Sequence, residues 1–232
     1  MNILNLVIRD RDSRECALDF PVLRLLMAGF TGRNQEVAMK HVEELREHGV
    51  EAPEKIPAFY AVPNHLVAAA GEIEVLGNQT SGEVEPVFLF KKGKIYLGVG
   101  SDHTDRDLER ASIAKSKVMC PKILARELWD YKAFKSRWDR LVLRSWIGDG
   151  RRKKLYQEAR LSTFLPPEEL IRLTRSHIRG ANLEGMVLFL GTIPIKGSGF
   201  GFASTFTGEL LDESSKRGLG FSYRIRPMGW LK

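Results

Sequence analysis

Cysteine is scarce: Cys16 and Cys120 are the only two in 232 residues, too few for a disulfide framework or a thiolate zinc site. Long apolar runs are missing too. The nearest, Phe20 to Phe30, holds Arg24 and falls short of the roughly 18 residues that a spanning helix needs. The opening stretch MNILNLVIRDRDSRE lacks the basic lead, apolar core and small-residue cleavage site of a secretory signal, so the expectation is a cytoplasmic protein with no membrane partner. No repeat, low-complexity tract or Pro/Ser linker divides the chain. The formal charge is +7, but the basic residues are spread out, and only GDGRRKK (148–154) forms a block, which reads as a solvated turn. The interleaving of aromatic and basic residues that marks a nucleic-acid platform is absent, so no nucleic-acid partner is expected. The Gly-rich KGSGFGF (196–202) is not GxGxxG and precedes a strand rather than a helix, which argues for a turn and against a dinucleotide site.

The hydrophobic content, 43%, is enough for a real core. Short apolar runs rich in β-branched and aromatic residues recur: ILNLVI, EIEVLG, RLVLRSWI, KKLYQEARLS, GMVLFLGTIPI, FGFASTFTGELLD and GLGFSYRIRP. Three segments carry helical spacing. They are Asn34 to Gly49, with Asn34 as N-cap and Gly49 as stop; Ala125 to Trp138; and Pro166 to Ile178, with its leading prolines. Strands that outnumber helices without strict alternation predict an α+β fold dominated by sheet.

The stretch SGEVEPVFLFKKGKIYLGVGSDHTDRD (81–107) is the most informative. VFLF and IYLGVG flank the Gly-containing link KKGK, which predicts an antiparallel hairpin. If Phe90 faces Ile95, the numbers of opposed residues always add to 185, so Glu83 lies opposite Asp102 and Glu85 opposite Gly100. Directly opposed residues share a face, and side chains alternate with period two, so Glu83, Glu85 and Asp102 converge on one side. Three carboxylates so close repel one another and need water, a Lys or Arg partner, or a metal ion. On this reading Asp102→Ala relieves repulsion and leaves the fold in place. Oxygen donors without paired cysteines favour a hard cation, Mg²⁺ or Mn²⁺, over zinc. His103 falls on the opposite face and reads as packing or surface.

These residues also resemble a family. YLGVGSDHTDRDLE is similar to the GYTVGNDVSARDLQ type of signature of the fumarylacetoacetate hydrolase superfamily, and GEVEPVFLF to its Glu-x-Glu leading into a strand. KSKVMCP (115–121) resembles its Lys-containing segment ending in Cys-Pro or Ser-Pro. GMVLFLGTIPI resembles its Thr-Gly-Thr-Pro strand, and GRNQEVAMKHVEEL its helix with His-x-x-Glu. The five segments run in the family's order from residue 32 to 194. Leu190 replaces the first Thr, Glu109 stands where many relatives have Gln, and Asn34 and His41 are three residues further apart than usual.

The resemblance implies a mixed β roll with a few peripheral helices, in one domain: an N-terminal portion, 1–60, carrying the His/Glu helix, and a β-rich catalytic core, 61–232. It implies a divalent metal, Mg²⁺ or Mn²⁺, on Glu83, Glu85 and Asp102. His41 and Glu44 would handle a catalytic water and Lys115 would stabilise an oxyanion. Arg106 and Thr192 would grip the carboxylate end of a 2-oxo acid or dicarbonyl substrate, while Glu109, an acceptor where relatives have a donor, would either pair with Arg106 or favour a hydroxyl, amide or amine on the substrate. The implied activity is metal-dependent cleavage of a C–C bond in a 1,3-dicarbonyl or 2-oxo acid through an enolate, by a homodimer. Decarboxylase, hydratase or tautomerase chemistry on the same site, or a non-catalytic metal-binding module, are the alternatives.

Overall fold

The computed structural model describes residues 1–10, 14–47, 52–149, 152–197 and 199–230, without the side chains of residues 41, 44, 45 and 47. The hairpin is its centre. Strands Val84–Lys91 and Lys94–Asp102 pair antiparallel with Phe90 opposite Ile95, Glu85 opposite Gly100 and Val84 opposite Ser101, the register expected from the sequence. The link is tight: Lys92 and Gly93 both have positive φ, 50° and 71°, as a two-residue turn of the primed type requires.

Nearly every residue of Val84–Lys91 is buried. One face, with Phe88, Phe90, Leu97 and Val99, joins the larger core; the other, with Val87, Leu89 and Tyr96, joins a second cluster that includes Leu4, Phe20, Leu25 and Leu128. A strand covered on both faces reads as a continuous apolar run, which is why VFLF shows so little alternation.

Around this hairpin a ten-stranded mixed sheet is built. Its path runs through Glu15–Val22, Asn2–Arg9, Glu127–Asp130, Lys94–Asp102, Val84–Lys91, Met186–Phe189, Arg24–Gly29 and Ala58–Val62. Lys122–Leu124 extends it, pairing with both Lys94–Asp102 and Val67–Ala68. Strands from residues 1–60 therefore lie in the same sheet as the hairpin. A second sheet of five strands, Arg152–Arg160, Val142–Asp149, Thr205–Asp212, Arg217–Pro227 and Glu72–Val75, packs against the larger core.

Helix Gln35–Glu47 begins where expected, its first turn capped by Asn34 Oδ1, which accepts from the Val37 amide at 3.1 Å. The proposed stop, Gly49, lies outside the described residues, as do Gly150 and Arg151 of the basic turn and Ser198 of the Gly-rich segment. Helix Pro167–His177 also agrees. The helix expected over Ala125 to Trp138 is corrected: Glu127–Asp130 is a strand paired with Lys94–Asp102, followed by short helical turns at Tyr131–Phe134 and Lys135–Arg140. Leu128 and Trp129 are fully buried there, on opposite faces of the strand. That tertiary burial overrides a weak local helical pattern.

Candidate metal centre

The hairpin's paired ends bring the acids together. Beyond the last ladder residues, Glu83 and Asp102 exchange both backbone hydrogen bonds, at 3.1 and 2.9 Å. One carboxylate oxygen from each of Glu83, Glu85 and Asp102 lies within 4.8 Å of the others. Glu85 and Asp102 are buried.

Most of the neutralisation comes from the chain itself. Asp102 Oδ1 accepts from Lys122 Nζ at 2.7 Å and its Oδ2 from Lys117 Nζ. Burial alone would raise the Asp102 pKa, but the two ammonium groups outweigh it and hold the carboxyl well below its usual range. Glu83 pairs with Arg106 at 3.3 Å. Glu85 has no ion pair among the described residues; its Oε2 accepts from the Gly191 amide at 2.8 Å. Burial, and then repulsion from Asp102, push its carboxyl well above the usual range, against the pull of Lys117. Counting Glu109, four carboxylates face three cations, and Glu85 is the one left over.

The backbone around Glu85 is fixed from two sides. Gly191 has φ 94°, and a Cβ there would meet Thr31 Oγ1 at 2.4 Å, so this turn requires glycine. Gln157, fully buried, accepts from the Val84 amide at 3.0 Å and donates to Thr192 Oγ1 at 2.8 Å. Thr192 Oγ1 in turn donates to the Val84 carbonyl at 3.0 Å. The residue between the two glutamates is thus held at both its N–H and its C=O. Thr192 sits beside the acids as this clamp.

Arg106 opens a short helix, Arg106–Glu109, capped by Asp105. Its guanidinium is committed: Nε donates to Ser81 Oγ at 2.7 Å, Nη1 to Glu109 at 2.7 Å, and Nη2 faces Glu83. Arg106 Cζ lies over the ring of Phe200, which the Gly-rich segment carries in, 4.2 Å from the ring centre. Burial disfavours the charge on Arg106, but Glu83 and Glu109 more than compensate and raise its pKa. Arg106 and Glu109 therefore pair with each other, three residues apart.

Lys115 is the lysine that the resemblance implies for stabilising an oxyanion. On helix Ile113–Val118 it is exposed, whereas Lys117 is buried against Asp102. Residues two apart on a helix point about 200° apart. Ser112 caps this helix by accepting from the Lys115 amide, and that start turns Ile113, Ser116 and Lys117 inward. His41 and Glu44 both fall on helix Gln35–Glu47, but their side chains lie outside the described residues.

Lys117, Lys122 and Gln157 were not singled out in the sequence. For Lys117 the signal was present in KSK, which offers two lysines without saying which faces in. His103 is packed, not on the surface. Its Nδ1 is 2.9 Å from Tyr223 Oη and its Nε2 3.0 Å from Thr80 Oγ1. Burial, together with nearby Lys122 and Arg106, pushes its pKa down to about 3, so the ring is neutral.

Residues 28–223 match the sequence pattern of a family described as a protein of unknown function, DUF2848. The chain belongs to that family. No curated protein matches it. Among solved structures, a hexagonal crystal form of 2-keto-3-deoxyarabinonate dehydratase is similar with a TM-score of 0.66 and 13% identity, over 94% of this chain and 86% of the other. The same kind of enzyme, 2-keto-3-deoxy-D-arabinonate dehydratase complexed with magnesium and 2,5-dioxopentanoate, is similar at 0.64 and 16%, over 94% and 77%. A structure of Cg1458 is similar at 0.64 and 13%, over 92% and 82%. These likenesses show the fold, the strand-rich fumarylacetoacetate hydrolase type with a curled sheet and few helices.

Proposed function

We propose that the protein is a divalent-metal-dependent enzyme that cleaves a C–C bond in a small 2-oxo acid or 1,3-dicarbonyl compound by hydrolysis through an enolate. The observation that carries this reading is the convergence of Glu83, Glu85 and Asp102 within 4.8 Å, with one buried carboxylate left without a cation. An all-oxygen donor set suits Mg²⁺ or Mn²⁺. The residues fit such an ion: Glu85 gains the counter-charge that its surroundings withhold. Bound there, the metal would supply Lewis-acid polarisation of two substrate oxygens.

The remaining work falls to the chain. Lys117, at the edge of the acids, presents positive charge toward an oxygen that becomes anionic. Arg106 holds Glu83, and Gln157 with Thr192 holds Val84, so that Glu83 and Glu85 keep their orientation. His41 and Glu44, one helical turn apart, would take a proton from the attacking water. Arg106 reaches a substrate only through whatever its pairs with Glu83 and Glu109 leave over, so its part is more in positioning than in gripping.

Dehydration is a second reading, favoured by the likeness to 2-keto-3-deoxy-D-arabinonate dehydratase, one structure of which holds magnesium and 2,5-dioxopentanoate. Loss of a hydroxyl β to the 2-oxo group passes through the same enolate and needs no activated water. The test is a panel of acylpyruvates, oxaloacetate and 2-oxo-3-deoxy sugar acids with Mg²⁺-loaded protein, followed by enol absorbance and product analysis. Hydrolysis yields two carboxylic fragments and dehydration one product lighter by water; either should vanish in Glu85→Gln. Bound metal with no turnover of any of these would leave a metal-binding module without this chemistry.

A further inference from the structure

If a divalent ion works at the three acids, as the proposed function holds, the two lysines on Asp102 differ in a way that bears on how it enters. Both carboxylate oxygens of Asp102 are taken, Oδ1 by Lys122 and Oδ2 by Lys117. Lys122 is wholly buried, and its Nζ also donates to the His103 carbonyl at 2.6 Å, so it is tied at two points. The Lys117 ammonium has Asp102 as its one hydrogen-bond partner among the described residues, keeps 8% of its side chain exposed, and lies 5.8 Å from the centre of the Tyr60 ring. It also sits within electrostatic reach of Glu83 and Glu85. Lys117 thus occupies an oxygen of one of the three acids that converge there, and a cation ligated by all three would meet it at Asp102.

We propose that Lys117 is the site's internal cation. Its ammonium competes with a divalent ion for Asp102 Oδ2, and on metal binding it swings off Asp102 toward the face of Tyr60. Two positive centres cannot share one carboxylate oxygen at contact distance without strong repulsion, whereas an aromatic face accepts an ammonium. The four-carbon stem of Lys117 gives the reach, and Lys122 remains as the fixed counter-charge of Asp102. Metal arrival thereby frees an ammonium at the rim of the site, where an anionic substrate oxygen can take it up. The lysine that neutralises the site without metal becomes a substrate contact with it.

The test is a Mn²⁺ titration at neutral pH and low salt, read by the paramagnetic signal of free ion, on the full chain, Lys117→Met and Asp102→Asn. Lys117→Met should bind Mn²⁺ at least tenfold more tightly than the unaltered protein, and Asp102→Asn should bind it at least tenfold more weakly. Equal or weaker binding in Lys117→Met, or unchanged binding in Asp102→Asn, overturns the competition while leaving metal dependence standing. Binding in Lys117→Met but none in the unaltered protein supports the competition and removes the metal-dependent reading; no binding in either overturns both. Should Lys117→Met fail to fold, reductive methylation of the unaltered protein decides: labelling of Lys117 rises severalfold with Mn²⁺, and a rate unchanged or lowered by the ion overturns the swing.

Discussion

Asp102 is where the balance of charge is most sensitive. Taken as one of three repelling carboxylates it is dispensable to the fold, and Asp102→Ala would relieve repulsion. With Lys117 and Lys122 buried on its two oxygens the sign reverses, because the substitution leaves two buried ammonium groups without their anion. Breaking one partner out of a buried ion cluster costs about 3–5 kcal/mol, and denaturant unfolding of metal-free Asp102→Ala should show a loss of that order. A midpoint equal to that of the unaltered protein would mean that the lysines are satisfied elsewhere. The same residues mark how far the sequence could be read. Glu83, Glu85 and Asp102 meet because a hairpin register is an arithmetic property of its turn, and KKGK fixed that turn. Which lysine of KSK turns inward depends on where the helix after Ser112 starts, and Lys122 depends on a strand that pairs with the far end of the hairpin. Neither fact is local to its own stretch of chain.

Among elements, the strands Val142–Asp149 and Arg152–Arg160 were legible from RLVLRSWI and KKLYQEARLS, yet their service to the site was not. Gln157 reaches from the second sheet to the Val84 amide and also accepts from Ser145 Oγ at 2.8 Å. A glutamine in a strand pattern looks like a solvent-facing residue until the opposing sheet is known. Gln157→Ala orphans buried donors and acceptors at about 1–3 kcal/mol for each group not rescued by water. It should lower the melting temperature and, because Glu83 and Glu85 lose their brace, weaken Mn²⁺ binding in the same titration. Loss of stability with unaltered metal affinity would confine Gln157 to packing. The strand Thr205–Asp212 ends on a second organised acid: Asp212 Oδ1 accepts from the Ser214 amide at 3.1 Å, and Oδ2 from Ser215 Oγ at 2.8 Å and Arg137 at 2.7 Å. Burial raises its pKa, but the hydroxyl and amide donors and Arg137 outweigh it, so the folded value lies below the unfolded one. A depressed carboxyl contributes stability above its unfolded pKa of about 3.9 and loses it as pH falls toward the folded value. The stability difference between the unaltered protein and Asp212→Asn should therefore be constant near neutrality and shrink below about pH 4. A difference that does not change down to pH 3 would show that the turn does not depend on the charge.

For the whole molecule, two sheets around a shared core leave Leu76, Phe202, Met228 and Trp230 exposed, all from the end of the second sheet and the loop beside it. The family resemblance implies a homodimer, and burying these side chains in it would remove the largest apolar exposure there. Light scattering at micromolar concentration should give twice the chain mass of 26.3 kDa. A value equal to that mass would reject the dimer. The position of Tyr223 has a different consequence. It lies on the strand Arg217–Pro227, yet its hydroxyl holds Ser101 Oγ and His103 Nδ1, 122 and 120 residues away in the chain and the two neighbours of Asp102, each at 2.9 Å. That strand also pairs in parallel with Glu72–Val75, Arg224 lying opposite Glu72, a contact between segments 152 residues apart in the chain. Such pairings are costly in loop-closure entropy and form slowly. As the chain leaves the ribosome, the hairpin with its three acids emerges long before the tyrosine that braces its end. The carboxylates and lysines thus wait on a scaffold that is finished only when the strand Arg217–Pro227 docks.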